Sequence, residues 1–397
     1  MAAPLSVVEA RAVILSAIRP LAAESVALQD ALGRVLAAPV VALRDQPPFP
    51  VSAMDGYALC AADAPGRLAL IGESAAGLGF EGVCGAGQAM RISTGAAIPE
   101  GTDAVVIQED VTLGEGVVEV PRVMPGAYIR PRAGDFAAGS VLLTPGRSLD
   151  GIALSLAAAA GHAVLSVSRR PRIYLLCSGD ELAPPGSQPG RWQIFESATA
   201  GVAGLAQSWG GLVYRLAIAG DNADGIARAA GEGMCDGDLL VVIGCASVGD
   251  HDHARPALMQ LGLRPLVEKV AVRPGKPTWF GTTPLGPVLG LPGNPASALV
   301  CAHLFLRPLL EKMQGRDPKI VFTKARLARA LPANGPREHY LRARLDCDAQ
   351  GQSEVRAFED QDSSLHSIFA AANALLRLPP SAPPHVEGAL VDVLPLH

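Results

Sequence analysis

The spacing of apolar residues changes several times along the chain, and each change indicates a different kind of secondary structure. Residues 1 to about 44 carry apolar side chains at helical spacing, which predicts helix. The segment RDQPPFP (44–50) ends this pattern. The short apolar runs between glycines that follow, as far as about residue 137, are typical of a β-rich module. Helical spacing returns at 148–162, so the module is predicted to be an insertion in a helical segment.

Residues 171 to about 316 alternate between continuous apolar runs and helical patterns. Continuous apolar runs are typical of strands that are buried on both faces of a sheet. The alternation therefore predicts a doubly wound α/β domain. The predicted strands are RIYLLC (172–177), LVYRLAIAG (212–220), DLLVVIG (238–244) and GPVLGL (286–291), and the predicted helices lie near 197–209, 223–233 and 254–262 and after Asn294.

The last part of the chain returns to short strands, EHYLRARLDC (338–347) and ALLRLP (374–379), with proline-rich punctuation at 379–384. This pattern predicts a small β domain. The predicted fold class is therefore multidomain α/β plus β. Its parts are a helical segment (1–44 and 138–170) interrupted by a β-rich module (45–137), a doubly wound α/β domain (171–317) and a C-terminal β domain (318–397).

Composition narrows the class of protein without identifying a function. A chain of 397 residues with 49% apolar and 18% charged residues can bury several cores and is not disordered. Its formal net charge of −5 provides no overall basic field for nucleic acid. The seven cysteines include no C-x-x-C pair, which favours reduced thiols in a cytoplasmic protein. Glu9 and Arg11 interrupt the N-terminal apolar stretch, and the run at 151–167 is too short to span a bilayer, so no membrane association is expected.

The stretch GLPGNPASALV (290–300) places a proline- and glycine-rich junction between a predicted strand and a predicted helix. Asn294 suits the N-cap and Pro295 the first helical position, while Gly293 allows a close approach of the backbone. A helix N-terminus directs unsatisfied N–H groups and a positive dipole end at the space before it. The junction is therefore predicted to bind an anion.

Other polar loops follow the neighbouring strands, and ligands of open α/β sheets bind beyond the carboxyl ends of the strands. These loops are Ser178-Gly179-Asp180-Glu181, GCASVGDHDH (244–253) and VRPGKP (272–277). Arg273 and Lys276 would neutralise an oxyanion. Asp180, Glu181 and Asp252 suit a divalent cation such as Mg²⁺, which bridges carboxylates and phosphate oxygens. The sequence thus predicts a site for a phosphorylated or nucleotide-linked ligand with a metal.

Each of these motifs also has an ordinary structural interpretation. The proline-glycine junction and the loop at 178–181 could be simple turns. His251 and His253 are two residues apart on a loop, which is not the spacing of a helical zinc pair. Asp55-Gly56 is by itself a turn signal. Only the expected convergence of the loops at one edge of the sheet favours a site.

Six stretches together resemble a known family: SAMDGYAL (52–59), STGAAIPEGTDAVV (93–106), SGDEL (178–182), SVGDHD (247–252), VRPGKP and GLPGNPASA. They occur in the order and spacing of the molybdopterin molybdenumtransferases, the MoeA family to which the gephyrin E-domain belongs. The resemblance extends over essentially the whole chain. It implies a MogA-like, molybdopterin-binding α/β domain, a C-terminal β-barrel-like domain and an elongated homodimer. The active cleft would lie between the α/β domain of one chain and the β module of the other.

The resemblance implies a Mg²⁺-dependent reaction in which molybdate is inserted into adenylylated molybdopterin, giving molybdenum cofactor and AMP. It implies catalytic roles for Asp55, Glu181, Asp252 and Lys276, and a metal site at Asp180, Glu181 and Asp252. Substrate binding is implied for Thr94, Ser178, Gly179, Ser247, Gly249, Arg273, Gly293, Asn294, Ser297 and Ser363, with Asp55 and Thr94 acting across the dimer. Molybdopterin adenylyltransferase and molybdoenzyme apo-proteins are candidate partners, whereas nucleic acid and membranes are not expected.

Three loops depart from the family pattern. Cys245-Ala246 stands where the family has G-V, Glu196 and Ala198 stand where it has Asp and Asn, and Ala133 replaces a glycine. These departures keep a second interpretation open, a non-catalytic paralogue that binds molybdopterin or molybdenum cofactor and scaffolds or delivers it. A third interpretation, a nucleotide-dependent hydrolase, leaves the N-terminal part of the chain unexplained.

Overall fold

The computed structural model describes residues 3–220, 222–244, 254–347 and 350–396. The chain forms two compact units. The first, which we call the α/β–barrel unit, comprises Met1–Glu24, Gly33–Ala37 and Val167–His397; the second, the β-module unit, comprises Ser25–Leu32 and Ala38–Ser166. The division into four parts proposed from the sequence stays a prediction.

The described helices are distributed along the whole chain, and a π-helical segment, Ala302–Leu306, joins two of them. They are α1 (Val7–Ser16), α2 (Gly151–Ala159), α3 (Ala198–Ser208), α4 (Ala223–Asp236), α5 (Ala254–Gln260), α6 (Pro295–Cys301), α7 (Arg307–Met313) and α8 (His366–Ala371). Within the described residues, no helix combines the length and apolar character needed to cross a bilayer.

The described strands include several of only two residues, which mark local pairings between loops. They are β1 (Ala23–Ala27), β2 (Val40–Val41), β3 (Val51–Ser52), β4 (Gly56–Leu59), β5 (Gly66–Ser74), β6 (Gln88–Ile92), β7 (Ala104–Ile107), β8 (Thr112–Gly114), β9 (Val117–Val120), β10 (Ile129–Arg130), β11 (Val141–Leu143), β12 (Val164–Ser168), β13 (Arg172–Cys177), β14 (Leu182–Ala183), β15 (Ile194–Phe195), β16 (Leu212–Arg215), β17 (Leu239–Ile243), β18 (Arg264–Val267), β19 (Val272–Arg273), β20 (Trp279–Thr283), β21 (Gly286–Leu291), β22 (Thr323–Leu327), β23 (Glu338–Cys347), β24 (Ser353–Ala357), β25 (Ala374–Leu378) and β26 (Leu390–Pro395).

The N-terminal helix is shorter than predicted. A capping box of Ser6 and Glu9 starts α1, which ends at Ser16, and the chain then forms strands and a short 3-10 turn. The prediction of helix as far as residue 44 is therefore wrong beyond Ser16. Pro20 gives the physical reason, because it lacks an N–H donor and disfavours a helical conformation of the residue before it.

The α/β sheet has the strand order β16-β13-β17-β21-β20-β18. The first four strands are parallel, and β20 and β18 extend the sheet in antiparallel orientation. All five residues of β17 are buried, as expected for a strand covered by helices on both faces. The carboxyl ends of β13, β17 and β21 consequently lie side by side, in the register Cys177–Ile243–Leu291.

The C-terminal domain is a closed barrel. Its pairings run from β22 through β24, β23, β25 and β26 back to β22. The two-residue strand β19, which precedes the glycine of the 272–277 loop, adds to β23 and pairs Arg273 with His339. This pairing attaches the loop to the barrel, although in sequence it lies between strands of the α/β sheet.

The β-module unit contains a six-stranded sheet in the order β7-β4-β6-β5-β9-β8. Its apolar cluster includes Tyr57, Leu59, Leu68 and Val118. The prediction of a β-rich module is confirmed. Glycine is required at position 56, since a Cβ there would lie 2.0 Å from the carbonyl oxygen of Val106 on the neighbouring strand.

Candidate active site

A cleft of about 690 Å³ lies at the carboxyl edge of the α/β sheet in the α/β–barrel unit. Its walls come from the ends of the sheet strands, from the 272–277 loop and from the barrel. Eight of the predicted catalytic, metal-binding and substrate-binding residues line it: Ser178, Glu181, Arg273, Lys276, Gly293, Asn294, Ser297 and Ser363. The expected convergence of separate loops is therefore found for this part of the predicted site.

The proline-glycine junction forms one corner of the cleft. Gly293 packs against Gly244 at the end of the adjacent strand, and a Cβ at residue 293 would lie 3.1 Å from the Gly244 Cα. Asn294 occupies the N-cap of α6 and Pro295 the first turn, as predicted, but the Asn294 side chain makes no capping hydrogen bond. Instead its Nδ2 donates to Ser363 Oγ of the barrel at 2.9 Å. The junction thus joins the α/β sheet to the barrel at the cleft.

Among the described residues, the cleft wall contains three cationic side chains as well as three carboxylates, Glu181, Glu196 and Asp362. Arg273, Lys276 and Arg337 line it together with His339. Burial, followed by the nearby charges of Arg273, Arg337 and Arg342, lowers the pKa of His339 to about 4. The imidazole is therefore neutral at neutral pH. The three cationic side chains suit an oxyanion or a phosphate group.

Arg337 and His339, along with Gln361, were missed by the sequence interpretation. Arg337 and His339 are two residues apart, which places them on the same face of an extended segment. That spacing was a usable signal. The closure of the barrel and its pairing with β19 decide which face of this segment lines the cleft. The spacing of Arg337 and His339 in the sequence does not specify either of these.

The predicted metal ligands do not all face the same space. Glu181 lines the cleft, and its backbone is held by the pairing of β14 with β15, in which Ile194 N–H donates to the Glu181 carbonyl at 2.7 Å. Gly179 and Asp180 line a neighbouring cavity of about 620 Å³ instead. Across the described ranges, no group of three or more His, Cys, Asp or Glu side chains is placed to hold a metal ion.

Three predicted residues, Ser247, Gly249 and Asp252, lie outside the described residues, as do Cys245 and Ala246 of the altered glycine loop. The two other departures from the family pattern have clear local settings. Glu196 is buried, and its carboxylate accepts hydrogen bonds from the Thr199 backbone N–H at 2.7 Å and from the Thr199 hydroxyl. It therefore caps the first turn of α3. Ala133 has a φ of 58°, a conformation that favours the glycine of the family pattern.

Asp55 and Thr94 lie in the β-module unit and contact each other. The Thr94 N–H donates to Asp55 Oδ1 at 2.6 Å and the Thr94 hydroxyl to the same oxygen at 2.9 Å. These hydrogen bonds, the backbone one first, lower the pKa of the Asp55 carboxyl. Asp55 is therefore an exposed carboxylate with a fixed orientation rather than a simple turn residue.

Comparisons with known proteins agree with this architecture. The family model for the MoeA N-terminal region (domain I and II) matches residues 5–161. The model for a probable molybdopterin binding domain matches residues 174–312, and that for the MoeA C-terminal region (domain IV) matches residues 324–396. Together, the cleft and these matches define the class as proteins built around a molybdopterin-binding α/β domain.

Individual relatives make the assignment more specific. The molybdopterin molybdenumtransferase of Nostoc sp. is 34% identical over 374 residues, which cover 90% of this chain and 85% of that protein. The protein of the same name from Haemophilus influenzae is 34% identical over 90% of each chain. A crystal structure of the molybdopterin biosynthesis MoeA protein from Pyrococcus horikosii matches with a TM-score of 0.86 and 28% identity over 100% of both chains. The chain belongs to the MoeA family of molybdopterin molybdenumtransferases, and the predicted fold class is confirmed.

Proposed function

We propose that this chain inserts molybdate into adenylylated molybdopterin, releasing AMP and molybdenum cofactor. The convergence of Lys276, Ser297 and Ser363, which come from three separate segments of the chain, in one cleft is the observation that supports the proposal most directly. Family membership and 34% identity to molybdopterin molybdenumtransferases support the transferase class.

The cleft residues suit the charges of this reaction. Molybdate is a dianion and the adenylate link carries phosphate oxygens, so both need cationic partners and hydrogen-bond donors. Lys276, Arg273 and Arg337 supply the positive charge, and the Ser297 and Ser363 hydroxyls supply donors at the cleft wall. Fixed cations in a cleft stabilise the negative charge that develops on the leaving phosphate when the link to AMP is cleaved.

The residues also fit a bound Mg²⁺. This ion commonly uses one or two carboxylates with substrate phosphates and retains several waters, so a cage of protein ligands is not needed. Glu181 at the cleft and Asp252 are the proposed ligands, and Asp180 ranks below them because it lines the neighbouring cavity. Mg²⁺ would neutralise phosphate charge during cleavage of the adenylate link.

We further propose a homodimer in which Asp55 and Thr94 of one chain serve the cleft of the other. The fixed and exposed Asp55 carboxylate supports a role beyond a turn. Mixing Asp55→Asn chains with Lys276→Ala chains tests this proposal, since each variant dimer lacks activity while a mixed dimer retains one intact site. Failure of the mixture to regain activity, although co-purification of two differently tagged variants shows mixed dimers, would reject sharing of the site.

One assay separates the enzyme from a non-catalytic binder. Purified chain, adenylylated molybdopterin, Mg²⁺ and molybdate are expected to yield AMP, measured by chromatography, and cofactor, measured by reconstitution of an apo-molybdoenzyme. Tight binding of the pterin without AMP formation would favour the binding paralogue. Absence of both binding and turnover would reject both interpretations.

A further inference from the structure

A buried contact lies behind the 272–277 loop, outside the lining of the cleft. Thr278 Oγ1 is 3.1 Å from Cys301 Sγ, and both residues are 0% exposed. Cys301 is on α6, four residues after Ser297, which lines the cleft. Residues four apart lie on the same face of a helix. The contact therefore connects the helix that presents Ser297 with the loop that presents Lys276.

Gly275 of the 272–277 loop lies against both Cys301 and Thr278, so their contact fixes the backbone of the loop. Gly275 has a φ of +117°, and a Cβ at this position would lie 2.2 Å from Cys301 Sγ. The sulfur atom thus fills the space that any larger residue at 275 would need. The carbonyl of Gly275 accepts the Thr278 N–H at 3.0 Å and the Thr278 hydroxyl at 2.8 Å. Lys276 follows directly, so these contacts set the direction in which its backbone leaves the turn.

We propose that Cys301 and Thr278 are positioning residues that hold Lys276 and Ser297 at the separation needed to bind one oxyanion. The inference rests on the proposed function, because it takes molybdate as the ligand of Lys276. Cys301 acts through its shape and contacts. Burial raises the pKa of its thiol to about 12, so the group stays protonated at neutral pH and is not a nucleophile.

Direct binding of sodium molybdate to the full chain, measured by calorimetry, tests the role of Thr278. Thr278→Val keeps the shape of the side chain and removes its hydroxyl. It is expected to weaken molybdate binding about tenfold, because Lys276 would be displaced. A displacement of about 1 Å can cost up to roughly 100-fold. Thr278→Ser keeps the hydroxyl and is expected to bind like the unchanged chain. Equal affinity in Thr278→Val, with an unchanged melting temperature, would overturn the proposal.

A double-mutant cycle tests Cys301 and remains informative where Thr278→Val does not fold. Gly275→Ala is expected to weaken molybdate binding because its Cβ meets the sulfur, and adding Cys301→Ala is expected to restore part of the affinity. Purely additive effects would overturn the proposal, since residues in contact are expected to couple. Cys84→Ala, at a buried cysteine of the β-module unit, is the matched control and should leave affinity unchanged. If the unaltered chain binds no molybdate, the proposed function itself fails.

Discussion

The cleft and the cavity beside it have similar volumes, about 690 and 620 Å³, and share Cys177, Leu182 and Glu196 as a common wall. They differ in the origin of their remaining residues. The cleft draws on the α/β sheet, the 272–277 loop and the barrel, whereas the described residues of the neighbouring cavity all lie between Cys177 and Gly220.

The two spaces also differ in charge. The cleft carries Arg273, Lys276 and Arg337 together with three described carboxylates, Glu181, Glu196 and Asp362. Glu196 caps α3, and Asp362 accepts hydrogen bonds from Ser364. The neighbouring cavity has Arg215 as its described cation, with Asp180 beside apolar residues of the 216–219 segment. Size therefore does not distinguish the two spaces. The convergence of independent segments and the presence of three cationic side chains, against one among the described residues of the neighbouring cavity, favour the cleft as the place for oxyanions.

The largest expected effect is that of Lys276→Ala in the cleft. Loss of the ammonium group removes a fixed charge from the oxyanion site and is expected to lower AMP formation about 100- to 1,000-fold. Lys319→Ala, which removes the same charge from an exposed ion pair with Asp317, is the control and should leave activity unchanged. Comparable activity in the two variants would show that the cleft is not the reaction site.

The adjacent acids Glu181 and Asp180 provide the sharpest comparison of the two spaces. Glu181→Gln is expected to lower the rate about 100-fold, as for loss of a group acting directly on the reaction, and to raise the Mg²⁺ concentration needed for half-maximal rate. Asp180→Asn, in the neighbouring cavity, is expected to have a much smaller effect. Steady-state AMP release across a Mg²⁺ titration measures both, and a reversed order would assign the reaction to the neighbouring cavity.

The lowered pKa of His339 predicts how the stability of the folded chain depends on pH. Its pKa is lowered from 6.5 to about 4 in the folded chain, so the unfolded chain binds more protons between these values. Stability is therefore expected to fall as the pH drops from about 6.5 towards 4, by up to about 3 kcal/mol. Urea unfolding at several pH values should show a shallower dependence in His339→Gln. The exposed His366→Gln is the control, and an identical pH dependence in both variants would contradict the assignment to His339.

The smallest effect concerns the wall shared by the two spaces. Glu196→Ala removes the acceptor of the Thr199 N–H and is expected to lower the free energy of unfolding by about 1 kcal/mol. Molybdate affinity should change little, because the carboxylate is directed at α3. Glu359→Ala, at an exposed ion pair with Arg329, should cost less. A large loss of molybdate affinity in Glu196→Ala would show that this carboxylate belongs to the site.

Local sequence patterns predicted the alternation of the α/β domain and the start of α6 at Pro295, because buried strands and helix caps have short-range signals. The predicted helix to residue 44 failed where Pro20 overrides apolar spacing. Ser363 was predicted as a site residue only from the family resemblance. Local spacing could not predict it, because the loop of Ser363 and α6 are distant in sequence. Arg337 and His339 were missed because their face is decided by barrel closure, which depends on pairings between distant segments.

The hydrogen bond from Asn294 to Ser363 joins residues 69 positions apart in the chain, so the cleft depends on both the α/β sheet and the barrel. A free-standing copy of the α/β half would keep the glycine corner and lose Arg337, His339 and Ser363. Such a half would meet an oxyanion with two of the three cationic side chains that line the cleft, Arg273 and Lys276.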